Sequence, residues 1–193
     1  KCHFFFGECC LHSILNSEVM EAIKTVDQLK YNLTLGPGYG GYSDLLKAVK
    51  FDPKALEDYL QFNSETYQRI RIYDSDTVEA VITCWEPGQK GMIHDFHHSL
   101  GWFKVLKGAV GVEHYSMQKD EPILRFNYDY PEDTQGFLND DLGFHRFSNL
   151  SLGRSIVLHF YADKIKHWEV YNEKRHQVED IEATVHRNFD KPA

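Results

Sequence analysis

Between Tyr67 and Tyr161 the chain repeats one texture: short segments of alternating apolar and polar residues, rich in β-branched and aromatic side chains. The segments read YQRIRIY, TVEAVITCW, WFKVLKGAV, VGVEHYSM, ILRFNYDY, HRFSNL and SIVLHFY. Turn chemistry separates them at Asp74-Ser75-Asp76, Pro87-Gly88, Gly108, Pro131-Glu132-Asp133 and Ser151-Leu152-Gly153. A period of two suits a strand and not a helix. Many short strands at this spacing specify an antiparallel sandwich or barrel, and exclude a parallel sheet with crossover helices. The tail, EVYNEKRHQVEDIEATVHRNF, adds two more expected strands around a polar turn.

Upstream the period lengthens. Val19, Ile23, Val26 and Leu29–Leu33 share one helical face, which predicts a helix over 17–32 capped by Ser17. Leu35-Gly-Pro-Gly-Tyr-Gly-Gly41 ends it. This run has neither a preceding strand nor a Lys-Ser/Thr pair, so it reads as a surface connection and not a phosphate loop. Two short helices are expected at 42–50 and 53–61, the second with Asp52 as its cap and Pro53 at its first position. Residues 1–16 are read as an N-terminal arm and 17–193 as one domain. The three Phe near the start come with Glu8 and no small-residue cleavage site, a poor match to a signal peptide.

Composition narrows the function. With 42% hydrophobic and 14% aromatic residues the chain can bury a full core. Its 29 acidic against 21 basic residues give a net charge of -8, which argues against nucleic acid or an anionic membrane as partner. No apolar run reaches the length of a membrane span. The four cysteines, Cys2, Cys9, Cys10 and Cys84, form no disulfide framework, so a reducing cytoplasm is the expected location. The 11 histidines are the compositional excess, and imidazole is the commonest metal ligand and proton carrier near neutral pH.

The densest histidine cluster is Gly91-Met-Ile-His94-Asp-Phe96-His97-His98-Ser99. His145 follows some fifty residues later, with Asn149 four positions on. Together with Gly88, Gly101 and Gly108 this resembles the two-part motif of cupins, in which a double-stranded β-helix brings ligands from two strands into one barrel. The match narrows further. CWEPGQKGMIHDFHHS running into WFKVLKG, with Tyr67-Gln-Arg69 upstream and Gly143-Phe-His145-Arg146 and Leu158-His159-Phe160-Tyr161 downstream, is similar to the cysteine dioxygenase family of that superfamily.

That resemblance implies a mainly β fold, a cupin barrel with short N-terminal helices. It implies a non-haem Fe(II) centre, a small-molecule thiol and O2 as partners, and oxidation of cysteine or a related thiol to its sulfinic acid. His94 and His145 match two iron ligands. Arg69 matches the arginine that grips the substrate carboxylate, a task suited to a planar guanidinium. Tyr67 matches a pocket tyrosine, and His159 and Tyr161 match the histidine and tyrosine beside the metal.

Three positions depart from the family pattern. Phe96 stands where the second iron ligand belongs, and a phenyl ring binds no metal. His98, which shares the strand parity of His94, could substitute; the centre could work with two histidines; or the chain could be a pseudoenzyme or small-ligand-binding cupin. Gly101 replaces the cysteine that animal members crosslink to the active-site tyrosine. Val157 replaces a serine that orients the family's histidine, which leaves His159 without that partner.

Overall fold

The computed structural model describes residues 21–95, 100–162 and 165–190, apart from the side chain of Asp140. The expected N-terminal arm, Ser17 and Val19 lie outside the described residues, as do Phe96, His97 and His98.

The first described helix, α1 (Val26–Thr34), starts later than the periodicity predicts. Thr25 and not Ser17 caps it: the Thr25 hydroxyl accepts the Gln28 amide at 3.2 Å, and the Gln28 side chain accepts the Thr25 amide at 3.2 Å. This reciprocal cap fixes the boundary and leaves Ile23 in a bridge to Val49. Helix α2 spans Gly41–Ala48 and α3 only Pro53–Leu56, continued by a 3₁₀ turn at Glu57–Tyr59. Pro53 opens α3 as expected, but Asp52 makes no side-chain cap bond there.

Two six-stranded sheets follow. The first contains β1 (Gln68–Asp74), β2 (Val78–Trp85), β4 (Leu100–Lys107), β7 (Gln135–Leu138), β9 (Ser155–Ala162) and β12 (Arg187–Asn188). Its spatial order is β12-β1-β2-β9-β4-β7. The second contains β3 (Ile93–Asp95), β5 (Ala109–Gln118), β6 (Glu121–Pro131), β8 (Phe144–Asn149), β10 (His167–Asn172) and β11 (Gln177–Glu182), in the order β11-β10-β3-β8-β5-β6. Among the described strands, β1 and β12 pair in parallel and the other pairs are antiparallel. The expected tail strands are the β10–β11 hairpin. The sheets form the mainly β double-stranded β-helix expected of a cupin.

Strand β2 is buried along its whole length, because it is covered on both sides. Ala80, Ile82 and Cys84 point outward to the helices, where they meet Leu29, Leu45 and Leu46. Val81 and Trp85 point inward with Phe103, Phe147 and Val157. The period of two therefore sorts one strand into a helix-facing core and a site-facing core. Cys84 is a core residue whose thiol burial pushes up to about 11, so it is neutral and inert.

Two polar knots hold these layers. Lys104, buried on β4, donates to the Val49 carbonyl at 2.8 Å and pairs with Asp133 at 2.9 Å, tying the end of α2 to the sheet. Asn149, at the end of β8, donates to the Glu86 and Gly153 carbonyls at 3.0 and 2.9 Å. Its oxygen accepts the Ser155 hydroxyl at 2.7 Å and the Ser151 amide at 2.8 Å.

Candidate metal and substrate site

His94 on β3 lies directly opposite His145 on β8. Directly paired residues of antiparallel strands project to one face, so the rings meet with centroids 4.4 Å apart. Both are buried. His94 Nδ1 donates to the Met92 carbonyl at 2.9 Å, which leaves Nε2 as a lone-pair donor. His145 is tied likewise to the backbone of Gly143. Burial lowers the His94 pKa to about 4. It holds His145 well below its ordinary value, with the His94 charge acting the same way. Both imidazoles are thus neutral at pH 7, the state that binds metal.

The first sheet supplies the groups that face them. Arg69 on β1 is buried, and its guanidinium lies 4.4 Å over the Trp168 ring and 5.7 Å over Tyr161. Its Nε donates to the Thr184 carbonyl at 3.2 Å, and its backbone amide to His186 Nδ1 at 2.9 Å. Tyr161 on β9 is hydrogen-bonded to Arg69, yet burial raises its pKa to about 12, so it stays a protonated phenol. Tyr67, half-buried just before β1, stacks flat on Trp85 at 4.1 Å.

One cavity brings together Tyr67, Arg69, His94, His159 and Tyr161. His145 joins them through its contact with His94. His98, expected as a third ligand, lies outside the described residues, as does Phe96. Among the described residues no group of three His, Cys, Asp or Glu side chains could hold a metal ion. His94 and His145 are two neutral nitrogen donors and so supply part of a metal-ligand set.

The lack of a serine at 157 does not leave His159 without a hydroxyl. Its ring does have a hydroxyl partner: Thr83, directly opposite Val157 in the β2–β9 register, places its Oγ1 3.0 Å from His159 Nε2. The hydroxyl comes from the neighbouring strand, a pairing that residue spacing along one strand does not reveal. Trp168 was missed as a neighbour of the site. Trp168 sits between Arg69 and His94, with its ring 5.0 Å from the latter. His114 is buried opposite His145 on β5.

Comparison with known proteins agrees with this geometry. The sequence profile of cysteine dioxygenase type I matches residues 42–174. The chain is 24% identical over 156 residues to the human protein named cysteine dioxygenase type 1, covering 75% of each. It is 23% identical over 150 residues to the rat protein of the same name, again covering 75% of each. A solved Klebsiella pneumoniae protein with a double-stranded β-helix domain has a TM-score of 0.50 at 13% identity, covering 61% of this chain and 95% of that one. This last similarity is one of fold. The family profile spans well over half of the chain, and its match runs through the two histidines, the arginine and the tyrosine that the fold gathers: the chain belongs to the cysteine dioxygenase type I family.

Proposed function

We propose that the protein is a thiol dioxygenase that converts cysteine, or a near relative, to its sulfinic acid with both atoms of O2. The carrying observation is the facing of two buried, neutral imidazoles, His94 and His145, by the Arg69 guanidinium and the Tyr161 phenol. In this reading His94 and His145 would hold Fe(II), with His98 or solvent completing the set. An iron ion held there would supply open coordination for a thiolate and for dioxygen. Every other task falls to the chain. Arg69 binds the carboxylate, and its stacking on Trp168 keeps the guanidinium from swinging away. Tyr161, protonated at neutral pH, donates a hydrogen bond to bound substrate or oxygen. His159 lines the cavity as a neutral ring, its pKa held well below the ordinary value by burial and by Arg69. Trp85 and Phe147 add aromatic walls to the cavity.

The expected location is the cytoplasm, where a reduced thiol substrate is available. No described helix is long and apolar enough to cross a membrane. The test is anaerobic loading with Fe(II), followed by oxygen uptake and sulfinate detection with cysteine and with cysteamine, which lacks the carboxylate. Stoichiometric iron and cysteine sulfinate support the reading. Binding of cysteine without oxygen uptake would instead mark a small-ligand-binding cupin that has lost the chemistry.

A further inference from the structure

The hydrogen bonds around Thr83 have a direction. Trp85 Nε1 lies 2.9 Å from Thr83 Oγ1, and an indole nitrogen can only donate. One lone pair of the hydroxyl is therefore occupied. Two contacts remain for its single proton: His159 Nε2 at 3.0 Å and the Val157 carbonyl at 3.5 Å. The second is at the limit of a hydrogen bond, and the first is of ordinary length. The shorter contact favours His159 Nε2 as the acceptor of the hydroxyl proton, through its ring lone pair. A neutral imidazole that accepts at Nε2 carries its own proton on Nδ1.

The surroundings hold this arrangement in place. Thr83 is 2% exposed, so no bulk water competes for its hydroxyl. It is β-branched and on a strand, which restricts its side-chain torsion. The Trp85 indole is stacked flat on Tyr67 with 6° between the planes, so its N–H cannot turn away. Successive bonds of one sense reinforce one another in a dry interior.

We propose that Trp85 and Thr83 form a one-way hydrogen-bond relay that fixes His159 in its Nδ1–H tautomer, with Thr83 as the positioning residue for that ring. Its consequence for the reaction rests on the thiol dioxygenase reading. With Nε2 engaged, His159 meets the cavity's contents as an N–H donor, and proton abstraction through Nε2 is closed to it.

The test uses the full chain, labelled with ¹⁵N-histidine and free of metal, at neutral pH, with His159 resonances assigned through His159→Gln. Long-range nitrogen–proton correlation should show an unprotonated Nε2 and a protonated Nδ1. Thr83→Val, which keeps shape and removes the hydroxyl, should let the two tautomers mix, and Thr83→Ser should restore the single form. Trp85→Phe, which keeps the ring stack and loses the donor, should mix them in part. With Fe(II) and cysteine, Thr83→Val should lower kcat about five- to tenfold, the worth of one hydrogen bond, with KM changed less than about twofold. Thr83→Ser should recover the rate. An Nε2–H tautomer in the unmodified chain, or an unchanged tautomer in Thr83→Val, overturns the relay. If no thiol is oxidised by any form, the dioxygenase reading fails, and the nitrogen spectra alone still decide the relay.

Discussion

Gly101 on β4 lies directly opposite Tyr161 on β9. Side chains so paired share a face, so position 101 is the place on that strand from which a side chain would meet the phenol. Glycine offers none, and the phenol therefore carries no covalent partner from this position. Gly101→Cys should bring a thiol to the ring. After exposure to Fe(II), cysteine and O2, intact-mass analysis should then show loss of a hydrogen pair, as an S–C bond replaces S–H and a ring C–H with oxygen as oxidant. A thiol that remains fully titratable after turnover would show that the two positions are too far apart for the bond.

Arg69 should govern KM for carboxylate-bearing thiols. Removal of the guanidinium in Arg69→Ala leaves a carboxylate without its counter-charge in a closed cavity. The loss of a charge-assisted hydrogen bond predicts a KM for cysteine raised about 10- to 100-fold. Oxidation of cysteamine should change little. Equal effects on the two substrates would locate the carboxylate elsewhere.

The core of this architecture is legible in the sequence because it depends on local rules. Alternation marked β1, β2, β4, β5, β6, β8 and β9, and turn residues separated them. Three described strands escaped: β3 has 3 residues, β7 has 4 and β12 has 2, too short for a period of two to register. The first helix was drawn too early because Val19 and Ile23 extend its apolar stripe. The Thr25–Gln28 cap, a backbone matter, sets the true start. At the site, His94, His145, Arg69, His159 and Tyr161 could be named from the family resemblance of the segments that carry them. Thr83 could not, since its partner lies across a strand pairing whose register only the folded sheet defines.

The third metal position can be tested directly. Phe96→His adds an imidazole two residues after His94, and His98→Ala removes the neighbouring candidate. A vacated family site predicts that Phe96→His tightens Fe(II) binding and raises thiol oxidation while His98→Ala changes neither. Loss in His98→Ala without gain in Phe96→His would assign the ligand to His98. Iron titration of both variants beside the unmodified chain separates these results.

Asn149 should be costly to remove. Its amide serves three segments at once, and each would keep a buried, unpaired polar group. Asn149→Ala is expected to lose about 3 kcal/mol, on the order of 10 °C in Tm, by thermal unfolding. A shift within about 2 °C would mean that water replaces the amide, as it can at a wetter site.

The metal-free chain should weaken in mild acid. The His94 pKa falls from 6.5 to about 4 on folding, so between these values the unfolded chain binds the extra proton. Stability is unaffected above pH 6.5 and declines as pH falls toward 4, by about 3 kcal/mol from this residue. His145 and His159 act in the same sense. Urea midpoints measured across this window should fall more steeply for the unmodified chain than for His94→Gln.

The two histidines and the arginine belong to different sheets: β3 and β8 stand in one, β1 in the other. In the proposed reaction the sulfur end of the substrate is held from one side and the carboxylate end from the other. The gap between the sheets then works as a caliper for chain length. Phe103 and Phe147, packed edge to face at 5.0 Å between the sheets, set its opening. A selectivity for shorter or longer thiols could thus be retuned from the hydrophobic packing, with no change to any residue that touches the substrate's polar ends.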